Sequence, residues 1–169
     1  MAEINLPEFR VCLINKPVIG ILEPWYDTPA FGRTALAYLA GYLRQFTGFS
    51  VQIIDAKLER LNFSQVLQRV NAFKPHIAGF TAYTNEIKPA AYQAALLKKH
   101  FPDIKTVIGG VHVTSMPKET MDEFAAFDIG VAGEGEITFL ELCNAISSNT
   151  GYCAIDGLVF RTDKGVTVT

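Results

Sequence analysis

The sequence predicts an α/β fold, a doubly wound five-stranded parallel sheet of flavodoxin-like (Rossmann-like) order with helices on both faces and a C-terminal β-hairpin. Three observations predict it. Short apolar, β-branched runs recur along the chain, and segments of helical spacing separate them. Glycines, hydroxyls and amides gather where those runs end.

The first strand is Val11-Cys12-Leu13-Ile14 and the second Val51-Gln52-Ile53-Ile54. Ile77-Ala78-Gly79-Phe80, Thr106-Val107-Ile108 and Asp128-Ile129-Gly130-Val131 follow as the third, fourth and fifth. Between the first two strands, Leu36, Leu39, Ala40 and Leu43 fall on one helical face. Asn62 followed by Gln65 forms a capping box, with Leu61 and Val66 as its staple, and predicts a helix over Phe63–Phe73 that stops before Pro75. A third helix runs from Glu86 to His100 and tolerates Pro89 in its first turn. The fourth starts at Pro117, a favoured first helical position, and ends near Phe127. Phe139, Leu142, Cys143 and Ile146 give the fifth its apolar face.

Past these units the period changes. Gly157 to Val168 reads as two short strands about Asp163-Lys164-Gly165, a hairpin outside the five-unit pattern. The expected division is a ligand-binding domain over residues 1–150 and a hairpin over 151–169 leading to a further domain, so the chain is expected to be a fragment of a longer protein.

Composition narrows the function. The 169 residues are 49% hydrophobic and 19% charged with mean hydropathy +0.19, enough for one well-packed core. Fifteen basic and 17 acidic residues give a formal charge of −2, so neither a nucleic-acid footprint nor a polybasic membrane patch is present. No apolar run approaches the roughly 18–20 residues of a spanning helix. The start carries acids where a signal peptide carries lysines, and a cytoplasmic location is expected. Cys12, Cys143 and Cys153 are odd in number and widely spaced, which indicates neither a disulfide framework nor a zinc site.

In an open parallel sheet, ligands bind outside the strands' carboxyl ends, where strand order reverses. There the chain carries Asn15, then Thr81, Tyr83 and Thr84, then Gly109, Gly110, Val111, His112 and Thr114, and finally Gly133, Glu134 and Gly135. Paired glycines at a strand end let a large, flat ligand approach the backbone. Hydroxyls and helix N-termini favour polar acceptors. Catalytic groups are scarce, and no metal-ligand spacing is present. His112 reads as a loop histidine making ordinary polar contacts, while His76 and His100 read as structural. The long first loop, Asn15 to about Arg33, is the one long connection. A phosphoacceptor receiver is excluded, since Asn15-Lys16, Thr81 and Gly133 stand where its acids, aspartate and lysine belong.

Gly109-Gly110-Val111-His112-Val113-Thr114-Ser115-Met116-Pro117 followed by Gly133-Glu134-Gly135-Glu136 resembles the amino-terminal cobalamin-binding domain of radical S-adenosylmethionine enzymes. Pro29-Ala30-Phe31-Gly32 ahead of Leu36-Ala37-Tyr38-Leu39-Ala40 resembles that family's first-loop block, and Gly157–Arg161 its bridging hairpin. The family includes cobalamin-dependent methyltransferases and the anaerobic magnesium-protoporphyrin monomethyl ester cyclase. The resemblance implies a corrinoid across the strand ends with its nucleotide tail between sheet and helices. Gly109 and Gly110 would admit the tail, Thr81 and Thr84 would bond it, and Gly133-Glu134-Gly135 would flank it. No D-x-H-x-x-G follows the first strand, which implies cobalt without a protein histidine. The cysteine triad that holds an iron–sulfur cluster is absent, so cluster and S-adenosylmethionine would belong to a downstream domain of the same polypeptide. Two alternatives stand beside this one: a scaffold of the same fold that docks without binding cobalamin, and a free-standing enzyme using His112 and Glu134.

Overall fold

A computed structural model describes residues 8–17 and 33–169. Residues 18–32, including the Pro29–Gly32 block and most of the first loop, lie outside the described residues.

Parallel strands β1 (Arg10–Asn15), β2 (Ser50–Asp55), β3 (Ile77–Thr81), β4 (Lys105–Gly109) and β5 (Ile129–Val131) carry the domain. Antiparallel strands β6 (Leu158–Thr162) and β7 (Gly165–Val168) complete a seven-stranded sheet of order β2-β1-β3-β4-β5-β6-β7. The first five follow the flavodoxin-like order, so sequence order reverses between β1 and β3. The expected hairpin, antiparallel and so outside the five parallel units, also extends the sheet: Ile129 pairs with Phe160 and Val131 with Leu158. Leu158, Val159 and Phe160 are buried there, which explains the pairing as burial of an apolar strand against β5.

Side-chain alternation divides each strand between two apolar layers. Val11, Leu13, Ile77, Val107 and Ile129 face α1 (Thr34–Phe46) and α6 (Gly135–Ser147) through Leu36, Ala40, Leu43, Phe139 and Leu142. Cys12, Ile14, Ala78, Phe80 and Ile108 face α2 (Phe63–Phe73), α3 (Ile87–His100), α4 (Val111–Ser115) and α5 (Pro117–Glu123). Cys12 and Cys143 are fully buried, and burial pushes both thiols far up from their ordinary range.

Local chemistry sets the helix ends. Asn62 Oδ1 accepts from the Gln65 N–H at 2.9 Å while Gln65 Oε1 accepts from the Asn62 N–H at 2.9 Å, so the predicted capping box starts α2. Pro117 is the first residue of α5, as its fixed φ favours. Two expectations are corrected. Val111–Ser115, read as loop, forms the short helix α4, and α5 ends at Glu123 rather than near Phe127. Gly110, at φ 96° and ψ −174°, turns the chain directly from β4 into α4. The Thr114 N–H closes that turn on the Gly110 carbonyl at 3.1 Å.

Candidate functional site

On the α1/α6 face, large residues give way to small ones toward the strands' carboxyl ends. Ile77 is followed two residues on by Gly79, and Val107 by Gly109. The missing side chains leave a cavity of about 350 Å³ between sheet and helices. Such a volume lies within the range of small-molecule sites. Its floor is Leu13, Gly79, Thr81, Val107 and Gly109. Ala35, Leu36 and Leu39 of α1 form one wall, with Gly135, Glu136 and Phe139 of α6 facing them. Gly110, Val111, Thr114, Ser115, Gly133 and Glu134 make the rim.

The glycines are there for different reasons. A Cβ on Gly110 would lie 2.7 Å from Thr81 Oγ1 and 3.1 Å from the Ala82 carbonyl oxygen, and its φ of +96° disfavours any other residue. The fold itself therefore demands this glycine. Gly133 has φ +84° and open space around it, so its reason is conformational. Gly79 is hemmed by Leu13 Cδ2 at 3.0 Å and Phe139 Cζ at 3.3 Å. Gly109 and Gly135 differ. Added Cβ atoms would meet their nearest neighbours at 3.8 Å and 3.6 Å, ordinary contact distances, and neither backbone is left-handed. Nothing in the fold excludes a side chain at either position, yet both border the cavity.

Thr114 fixes the rim. Its hydroxyl donates to the Gly110 carbonyl at 3.0 Å and accepts from the Gly133 N–H at 3.0 Å, tying the two glycine loops together. Among the described residues the hydroxyls of Thr81 and Ser115, which also line the cavity, have no protein hydrogen-bond partner. The N-terminus of α6 has no side-chain cap, so its first-turn N–H groups remain available to an acceptor.

Of the residues singled out in the sequence, Thr81, Gly109, Gly110, Val111, Thr114, Gly133, Glu134 and Gly135 all line this one cavity. The other four do not. Asn15 is buried with its Nδ2 2.7 Å from Asp55 Oδ1. Tyr83 is half exposed, and the Arg33 guanidinium lies 4.6 Å above its ring. Thr84 Oγ1 is 3.2 Å from Nδ1 of His112. His112 sits in α4 rather than in a loop, buried against Phe124. His76 accepts the Arg10 N–H at 3.0 Å through Nδ1 at the strands' amino ends, and His100 closes α3. None of the three histidines lines the cavity, so His112 and Glu134 do not share it. The sequence reading missed the apolar walls and Gly79. A glycine inside a buried β-branched strand was the available signal.

A sequence profile described as the B12 binding domain matches residues 27–143. An uncharacterized methyltransferase of Pyrococcus horikoshii is 39% identical over 159 residues, covering 93% of this chain and 34% of that protein. The anaerobic magnesium-protoporphyrin IX monomethyl ester cyclase of Rubrivivax gelatinosus is 36% identical over 138 residues, 75% of this chain and 25% of its own. The chain thus spans about a third or less of the length of these relatives. Among solved structures, the radical S-adenosylmethionine methyltransferase TsrM of Kitasatospora setae, with cobalamin and an iron–sulfur cluster bound, superposes with TM-score 0.71 at 26% identity. The match covers 94% of this chain and 28% of TsrM. With a seven-stranded sheet whose first five strands follow the flavodoxin-like order, a cavity at the strands' carboxyl ends and a profile match over most of its length, the chain belongs to the B12-binding domain family.

Proposed function

We propose that this domain holds cobalamin with the corrin ring over the strand ends and the nucleotide tail in the cavity between the sheet and helices α1 and α6. The carrying observation is the unclaimed room above Gly109 and Gly135, which the fold does not need and a ligand does. The apolar walls Leu36, Leu39, Val107 and Phe139 would exclude water from the tail. Thr81, Ser115 and the first-turn N–H groups of α6 would meet its polar atoms. Gly110, Val111, Thr114, Gly133 and Glu134 would border the entrance. Asn15, Tyr83, Thr84 and His112 act at one remove, by holding neighbouring loops.

Bound here, a corrinoid would supply a cobalt that carries a methyl group or an electron, and the protein would supply its placement. Cobalt would have no protein histidine, a reading supported by the lack of a D-x-H-x-x-G after β1 and by the burial of His112, next to the rim residue Val111, against Phe124 with its Nδ1 3.2 Å from Thr84 Oγ1. We propose further that residues 1–150 are the cofactor domain and 151–169 a bridge to a radical S-adenosylmethionine domain, which would hold the iron–sulfur cluster and S-adenosylmethionine and choose the substrate. The lengths and names of the relatives support this placement.

Titration of the purified chain with cobalamin and with cobinamide, the corrinoid lacking the nucleotide tail, tests the proposal. Saturable binding followed by the corrin absorption band, with cobalamin preferred, is expected. No binding, or equal affinity for the two, overturns it.

A further inference from the structure

A buried ionic cluster lies beside the cavity without lining it. Glu86, 3% exposed at the N-terminus of α3, accepts from Arg33 Nη2 at 2.5 Å, Lys57 Nζ at 3.3 Å and the Tyr83 N–H at 3.1 Å. Asp55, 7% exposed at the end of β2, accepts from the Arg33 N–H at 2.8 Å, Asn15 Nδ2 at 2.7 Å and the Leu58 N–H at 3.2 Å. Arg33 Nη2 also lies 3.4 Å from Asn15 Oδ1, and its guanidinium stacks on Tyr83. Burying this many charges in a mostly apolar domain is costly, and such clusters are retained more often for placement than for stability.

What the cluster places is clear from its neighbours. Helix α1 begins at Thr34 with no side-chain cap and no acid in its first turn. Its start is held through Arg33 instead, by main chain to Asp55 and by side chain to Glu86. Ala35, Leu36 and Leu39, which follow at once, form one wall of the cavity. Tyr83, whose N–H Glu86 takes, lies two residues beyond Thr81 in the floor. One cluster therefore ties wall to floor.

We infer that Arg33, Asp55 and Glu86 are positioning residues that set the width of the slot between α1 and the sheet, and so the preference for a corrinoid that carries a nucleotide tail. The inference rests on the proposed placement of the tail. Glu86→Gln removes the carboxylate charge that Arg33 and Lys57 share. Arg33→Lys keeps the charge but removes the planar guanidinium that stacks on Tyr83 and whose Nη2 reaches both Glu86 and Asn15.

The test is the ratio of cobalamin to cobinamide affinity in wild type, Glu86→Gln and Arg33→Lys. The expected result is a fall in that ratio of about tenfold in both variants, the usual size of a supporting-residue effect, with cobinamide affinity unchanged. Asn62→Ala, which weakens α2 away from the slot, leaves the ratio intact. Because Arg33→Lys retains the buried charge, it keeps the test open if Glu86→Gln fails to fold. Equal losses for both corrinoids, or an unchanged ratio, overturn the inference while leaving the tail placement standing. A wild-type chain with no preference for cobalamin instead removes the tail placement itself.

Discussion

Substituting the two adjacent glycines separates room for a ligand from the demands of the fold. At Gly110 the backbone angles of φ 96° and ψ −174° fall in a region nearly closed to other residues, costing on the order of 1–3 kcal/mol. An added Cβ would also lie 3.1 and 3.2 Å from the carbonyl oxygen and nitrogen of Ala82. Ala82 cannot easily move, since its N–H bonds the Gly109 carbonyl at 3.3 Å and its carbonyl takes the His112 N–H at 3.3 Å. Gly110→Ala should therefore cost about 2–4 kcal/mol in stability. At Gly109 the nearest atoms are the Phe80 and Val131 carbonyl oxygens at 3.8 and 3.9 Å, so Gly109→Ala should stay within about 0.5 kcal/mol. Gly109→Leu projects into the cavity on the same face as Val107. Forcing a side chain into space that a bound tail fills costs about 1–3 kcal/mol, or about five- to 150-fold in cobalamin affinity. Urea unfolding and corrinoid titration of the three variants supply both readouts. Wild-type affinity in Gly109→Leu would refute the placement of the tail, and wild-type stability in Gly110→Ala would refute the steric argument.

Other expectations follow from the same geometry. Thr114→Val removes two hydrogen bonds that join the glycine loops, and should lower stability by about 1 kcal/mol and weaken cobalamin binding, as unfolding and titration will show. Asn62→Ala should cost about 1 kcal/mol through the lost capping box with no change in corrinoid affinity. In the native protein a thiol reagent should label Cys153 alone, with Cys12 and Cys143 reacting only on unfolding; mass spectrometry reads this directly. Burial alone would raise the Glu86 carboxyl, but the Tyr83 N–H, Arg33 and Lys57 outweigh it and hold it below its ordinary range. Asp128 is lowered against burial in the same way, by Lys98 and Thr106. Both acids bind protons more readily when unfolded, so their stabilisation is complete above the ordinary carboxylate range near pH 4 and is lost as pH falls through the lower folded values. Acid unfolding of Glu86→Gln should show a shallower slope than wild type in that window.

Much of this fold was legible because its signals are local. The capping box at Asn62 and Gln65, Pro117 opening α5 and the β-branched strand runs act within a few residues of where they appear. Helix α4 was not legible, because five residues are too few to display a helical period. The pairing of the hairpin with β5 depends on which apolar edge remains open after five strands have assembled, and no turn residue carries that information. Eight of the twelve candidate site residues share one cavity because strand ends and glycine loops converge in this topology. Asn15 lies outside the cavity lining for a non-local reason: its partners Asp55 and Arg33 meet it only once β1, β2 and α1 are packed. Arg33 and Glu86, 53 residues apart, are likewise brought together by the fold alone.

The most direct test of the central claim is a crystal structure of this chain grown with cobalamin. The account predicts density for the nucleotide tail between α1 and α6 over Gly79 and Gly109, and a cobalt with no histidine nitrogen bound to it. Density for the tail outside this cavity, or a histidine on cobalt, would contradict it.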